Sequence, residues 1–135
     1  MRQISIQLNP KNRGFHIITE EIVRQLPQLP DVGLLHLFIQ HTSAGICLNE
    51  NADPTVLSDM NEWFDRNIKE DEPYYRHTYE GPDDMPAHIK SVLSGHDLHI
   101  PISKGRLNLG TWQGIYLGEF RNHAGSRRII ATIIE

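Results

Sequence analysis

Val32-Gly33-Leu34-Leu35-His36-Leu37-Phe38-Ile39-Gln40 decides the fold class, because this stretch is apolar almost without interruption apart from Gly33 and His36. A strand of that kind is expected to have both faces covered, at the centre of a sheet with a layer or a subunit on each side. His36 within it reads as a satisfied sheet histidine. Upstream, Arg2 to Leu8 alternates Ile4, Ile6 and Leu8 with polar partners, the period of a half-buried strand, and Asn9-Pro10-Lys11-Asn12 breaks it as a turn. Thr19 then offers an N-cap, with Glu20 and Glu21 in a first turn and Ile22, Val23 and Leu26 at helical spacing, so a short helix is expected to end near Pro27.

Downstream, Asp53-Pro54 combines a capping carboxylate with a proline at the first helical position, where its missing N–H costs nothing. Val56, Leu57, Met60, Trp63 and Phe64 follow on one face, predicting a long amphipathic helix. Asp84-Met85-Pro86 starts another, carrying Ile89, Val92 and Leu93 and stopping at Gly95; Asp84 and His88, four apart, share a face. Alternation of Leu98, Ile100 and Ile102, then Trp112 to Phe120 and Arg128 to Ile134, reads as strands joined by glycine-containing turns. The expected class is α+β over residues 1–135 as one domain, a mainly antiparallel sheet packed with two or three helices, with no repeat, linker or low-complexity tract.

A chain of 135 residues with 39% apolar and 22% charged residues can bury one core without staples. A formal charge of -4 argues against a protein that coats nucleic acid, which requires clustered Lys and Arg. The one basic cluster, Arg121 to Arg128, is enough for a small phosphorylated ligand or is simply a solvated turn. Cys47 is the only cysteine, so no intrachain disulfide forms and no oxidising compartment is needed. No apolar run is long enough for a signal peptide or a membrane span, and cytoplasm is the expected location. The unusual count is eight histidines, which makes an imidazole-based metal or acid/base site worth testing.

Three segments carry polar chemistry beyond what local structure needs. His41-Thr42-Ser43-Ala44-Gly45, followed by Asn49-Glu50-Asn51-Ala52-Asp53-Pro54, sits where loops at strand ends build sites. Ser43 beside His41 suggests a nucleophile and its base, but no nucleophile elbow or orienting acid accompanies them. His77-Thr78-Tyr79-Glu80-Gly81-Pro82-Asp83-Asp84-Met85-Pro86-Ala87-His88 packs two imidazoles and three carboxylates into twelve residues. Imidazoles suit zinc and related ions, while carboxylates favour magnesium or orient the histidines; alternatively Asp83 and Asp84 cap the helix and the histidines are solvated. Pro101 to Gly114 offers Ser103, Lys104, Arg106 and Thr111 as phosphate donors around glycines, or is an ordinary hairpin with a polar turn.

Taken together, His-Thr-Ser-Ala-Gly at 41–45, Asn-Glu-Asn-Ala-Asp-Pro at 49–54, Glu-Gly-Pro-Asp-Asp-Met-Pro-Ala-His-Ile-Lys at 80–90 and Gly-Arg-Leu-Asn-Leu-Gly-Thr-Trp-Gln-Gly-Ile-Tyr at 105–116 resemble signatures of the YjbQ family, the secondary thiamine-phosphate synthases. The resemblance runs from about Ile4 to Glu135. It implies a homotrimer with a polar pocket near the subunit boundary and a divalent metal ion, zinc or magnesium. It also implies a weak transferase activity that joins a pyrimidine diphosphate to a thiazole phosphate and releases pyrophosphate. On this sequence the implied metal ligands are His41, His77 and His88, with Glu80, Asp83 and Asp84 nearby. His77, Glu80, Asp84 and Arg106 are the expected catalytic residues, and Lys104, Arg106 and Arg121 are expected on phosphate; Trp112 either faces the cationic pyrimidine or packs. His96 and His99 fall where relatives are expected to carry small polar residues and stay outside the set.

Because a pocket does not fix a substrate, three functions stand side by side. One is the transferase. Another is a metal-dependent hydrolase of a small phosphorylated or amide metabolite, and the third is a trimeric binding module without turnover. The expected partners are a small phosphorylated metabolite and further copies of the chain, with neither nucleic acid nor membrane.

Overall fold

The computed structural model describes residues 1–135. In chain order the elements are β1 (Arg2–Gln7), β2 (Gly14–Ile17), α1 (Thr19–Val23), β3 (Val32–Ile39), β4 (Ala44–Glu50), α2 (Pro54–Asn67), α3 (Asp84–Ser94), β5 (Asp97–Ser103), β6 (Arg106–Leu107), β7 (Gln113–Glu119) and β8 (Arg128–Ile134). Two antiparallel sheets form, one in the order β1-β8-β3-β5-β6 and the other in the order β2-β7-β4. The class is the α+β one the sequence predicts.

Period-2 alternation builds the layers. Leu35, Leu37 and Ile39 of β3, Ile100 and Ile102 of β5 and Ile129 and Ile133 of β8 meet Ile46 of β4 and Ile115 and Leu117 of β7 in one core between the sheets. Each such side chain, fully buried, stabilises the fold by about 1.5–3 kcal/mol. Tyr116 of β7 points the other way, into a second cluster with Phe15, Phe64, Ala87 and Phe120 that packs the helices onto the three-stranded sheet. The order of layers is therefore α2 and α3, small sheet, large sheet, while α1 sends Ile22 into the core between the sheets.

β3 is the middle of the five-stranded order, as its sequence predicts, but only one of its faces is covered within the chain: Val32 and Phe38 are exposed. The strand buried on both faces is β7, where every residue from Gly114 to Glu119 is buried. β2 and β4 are strands that periodicity does not flag, since β2 is only four residues long and β4 lies in a segment whose polar residues read as a loop. Thr19 does not cap α1; its hydroxyl accepts from the Ile115 N–H at 2.8 Å and ties the helix to β7, and the helix ends at Val23 rather than near Pro27. Asp53 does cap α2, accepting from Thr55 N–H at 2.9 Å.

α3 turns an unexpected face inward. Pro86, Ala87, Lys90 and Ser91 are buried, with the Lys90 ammonium 2.7 Å from Asp65 of α2, whereas Val92 is 86% and Leu93 57% exposed. Small and paired polar residues let the helix lie close on β4: Ser91 Oγ donates to Ala44 O at 2.7 Å and Ile46 N–H to Gly95 O at 3.0 Å. Gly45 is required there, because a Cβ would collide with Ser94 Oγ and sit 2.8 Å from Gly95 O. No helix is long and apolar enough to cross a membrane.

Gly45→Ala is expected to lower stability by about 1–3 kcal/mol in urea unfolding, the usual cost of overpacking a close contact. An unchanged midpoint would mean that α3 does not seat on β4 as described.

Candidate metal centre

Three residues converge at the start of α3. Asp84 opens the helix, His88 stands one turn later, and His77 arrives from the irregular stretch that follows α2. The Asp84 carboxylate is 1% exposed. Its Oδ2 lies 2.8 Å from His77 Nε2 and 3.1 Å from His88 Nε2, and its Oδ1 accepts from Arg121 at 2.7 Å.

His88 Nδ1 lies 2.8 Å from the Thr42 carbonyl oxygen, which can only accept, so that nitrogen carries the proton. In the neutral ring the Nε2 lone pair then faces a carboxylate oxygen, and a proton or a cation must lie between them. Tetrahedral ligands about 2.0–2.1 Å from a zinc ion are spaced about 3.3 Å apart, close to the two separations on Asp84 Oδ2. One donor atom from each of His77, Asp84 and His88 lies within 4.8 Å of the others. Two imidazoles and one carboxylate thus fit a divalent ion, as three of its ligands.

The charges point the same way. Arg121 donates through Nε to Asp83 Oδ2 at 2.9 Å and through a terminal nitrogen to the Glu80 carbonyl at 3.1 Å, and it lies 3.8 Å from the Glu80 carboxylate. A single guanidinium therefore faces the three carboxylates of Glu80, Asp83 and Asp84, a formal excess of negative charge that a dication offsets. Asp83 does not cap α3 with its side chain; it also accepts from Asn122 N–H at 3.0 Å. Burial alone would raise its pKa, but the Asn122 N–H and the Arg121 guanidinium outweigh burial and hold the carboxyl below the usual range.

The other expected site residues lie elsewhere. His41 is outside the donor group: its Nε2 accepts from Arg128 N–H at 2.8 Å, and burial followed by the Arg127 charge holds the imidazole below its ordinary pKa. Ser43 is engaged as well, its hydroxyl accepting at 3.0 Å from Arg127, which pairs with the fully buried Glu119 at 2.6 Å. Arg121, expected on phosphate, has its guanidinium occupied by Asp83, Asp84 and the Glu80 carbonyl. Lys104 and Gly105 are the two positive-φ residues of a tight turn between the paired Ser103 and Arg106, so the polar hairpin describes this segment. Ser103 pairs with Val32 at one end of β3, while Thr42 lies beyond the other. The eight residues of that strand span about 23 Å, so Lys104 and Arg106 do not reach the His77–Asp84–His88 group within one chain. Trp112 is exposed and joins neither cluster. Arg121 as the partner of the carboxylates escapes sequence reasoning, although its sign opposite three acids is a usable signal.

A two-sheet α+β domain with a His–Asp–His group at the start of a helix is the class these features define. The chain belongs to the UPF0047 protein YjbQ-like family, whose model matches residues 3–135. The UPF0047 protein YjbQ of Escherichia coli O157:H7 is 56% identical over 133 residues, 97% of this chain and 96% of that one. Among solved structures, a conserved hypothetical protein from Thermus thermophilus superposes with a TM-score of 0.85 at 33% identity, covering 97% of this chain and 99% of that one. A YjbQ/UPF0047 protein of Clostridium acetobutylicum gives 0.82 at 37% identity, again covering 97% and 99%.

Because the folded pKa of Asp83 lies below its unfolded value near 3.9, its stabilising contribution is full above that pH and fades as pH falls through the lowered folded value. Asp83→Asn is expected to cost about 1.5–3 kcal/mol at pH 7 and to flatten the acid limb of a stability–pH profile. An acid limb as steep as that of the parent chain would contradict this pairing.

Proposed function

We propose that this protein is a divalent-metal-dependent enzyme acting on a small phosphorylated metabolite, with the ion held by His77 Nε2, His88 Nε2 and Asp84 Oδ2. The observation that supports this best is the convergence of both imidazoles on one buried carboxylate oxygen, with His88 fixed by Thr42 so that its Nε2 lone pair faces inward. A bound ion of this kind polarises a phosphoryl or carbonyl oxygen and lowers the pKa of a water molecule. Nitrogen donors favour zinc and similar ions over magnesium, which supports hydrolysis over magnesium-assisted departure of a diphosphate.

The chain's own residues divide the remaining work. Arg121 holds Asp84 and Asp83 in place, so the ligand set is oriented before a substrate arrives. The Glu80 carboxylate is more than half exposed and makes only the 3.8 Å contact with Arg121, leaving it free to take a proton from a nucleophile at the rim. His88 also borders an apolar groove of about 530 Å³ lined by Trp63, Ile68, Met85, Ile89 and Val92, which suits a ring or alkyl part of the substrate.

The thiamine-phosphate synthase activity is the second reading, and the exposed Lys104–Arg106 hairpin favours it in a homotrimer, where one subunit's hairpin supplies anion donors to its neighbour's centre. The exposed Trp63, Val92 and Leu93 give such an assembly apolar surface to cover. A cytoplasmic setting goes with both.

Metal analysis of protein purified without added metal is expected to give about one zinc or similar ion per chain at this centre, lost in His77→Ala and His88→Ala. Metal-loaded protein is expected to hydrolyse members of a phosphorylated-metabolite panel, with activity at least about 100-fold lower in His88→Ala. Hydrolysis unchanged in Arg106→Ala supports the first reading, and loss of thiamine-phosphate synthesis in that variant supports the second. Binding without any product would leave only a ligand-binding module. Light scattering tests the homotrimer, and a monomer would remove the shared pocket.

A further inference from the structure

The open face of the five-stranded sheet carries a second group of donors. The β3–β5 register sets His36 directly opposite His99, and Asp97, two residues before His99, projects from the same face. His36 Nε2 lies 3.1 Å from Asp97 Oδ2, and the His36 and His99 rings are 4.8 Å apart. One donor atom from each of the three residues lies within 4.8 Å of the other two. His96 adds an imidazole 3.8 Å from the other oxygen of Asp97.

A simple ion pair accounts for His36 beside Asp97 but not for His99. Two imidazoles directly opposite on a half-exposed sheet repel when protonated, and when neutral their ring contact contributes only about 0.2–1 kcal/mol. A dication removes that conflict. The His36–Asp97 separation is close to the roughly 3.3 Å spacing of neighbouring tetrahedral ligands, and the β3–β5 ladder, with β8 pairing the far side of β3 at Thr132, fixes the backbones that carry the donors.

We propose that His36, Asp97 and His99 form a second site for a nitrogen-seeking divalent cation of the zinc, nickel or copper class, clipping β3 to β5 on the face remote from the helices. The remaining coordination positions are open to water or to a donor from a neighbouring subunit. The site shares no residue with the His77–Asp84–His88 group and stands independently of it.

Equilibrium dialysis of the chelator-stripped full chain against micromolar free zinc at pH about 7.5 tests it. About two zinc ions per chain are expected for the parent, about one in His99→Ala and about one in His88→Ala. His99 is exposed, so its variant is expected to keep the parent's circular dichroism spectrum; Asp97→Asn provides a second variant with the same expected loss. Retention of the parent's zinc count in both His99→Ala and Asp97→Asn overturns the proposal. A single ion lost in His99→Ala but kept in His88→Ala upholds the sheet site and counts against the centre on α3; the reverse pattern upholds that centre and overturns this proposal.

Discussion

One buried carboxylate, that of Asp84, organises the start of α3 and the segments that meet there. Its two oxygens divide the work, one accepting from Arg121 and the other facing both imidazoles. A carboxylate 1% exposed is tolerated only when its surroundings supply compensating charge or hydrogen bonds. Here those come from the loop after β7, the stretch before α3 and α3 itself. The docking of α3 on β4 is the mechanical counterpart: Thr42, Ala44 and Gly45 hold successive turns of the helix and so fix His88 with the sheet as reference.

The sequence makes this centre partly legible. A proline-bearing helix start at Asp84 puts His88 on the same face by helical geometry alone, and those two residues stand as expected. His77 is near them in sequence, and the chain between brings it there. Arg121 is visible as a cation, but its partners lie about forty positions away, and pairing at that distance leaves no local pattern to separate a structural guanidinium from a phosphate donor. His41 belongs to a motif whose polar residues meet the Arg128 N–H and the buried Arg127–Glu119 pair, away from the Asp84 group.

The fold shows the same division. Strands with clean alternation, β5 and β8, and the capped helix α2 follow local rules. β7 hides its double burial because Tyr116, Gly114 and Gly118 break the continuous aliphatic run that marks such a strand, whereas β3 displays that run while leaving one face open. α3 inverts the usual amphipathic logic: its small and paired polar side chains face the sheet, and its larger apolar ones remain outside with Trp63. Hydrophobic periodicity reports where apolar surface lies; a neighbouring subunit or a substrate can cover that surface as well as the chain's own core.

The central claim is that Asp84 gathers two imidazoles into one coordination sphere. X-ray absorption at the zinc edge, on His99→Ala protein loaded with about one equivalent of zinc, tests it most directly. The account predicts about two imidazole nitrogens with oxygen donors completing the shell, and loss of about one imidazole when His88→Ala is added. An all-oxygen shell, or a spectrum unaltered by His88→Ala, would contradict it.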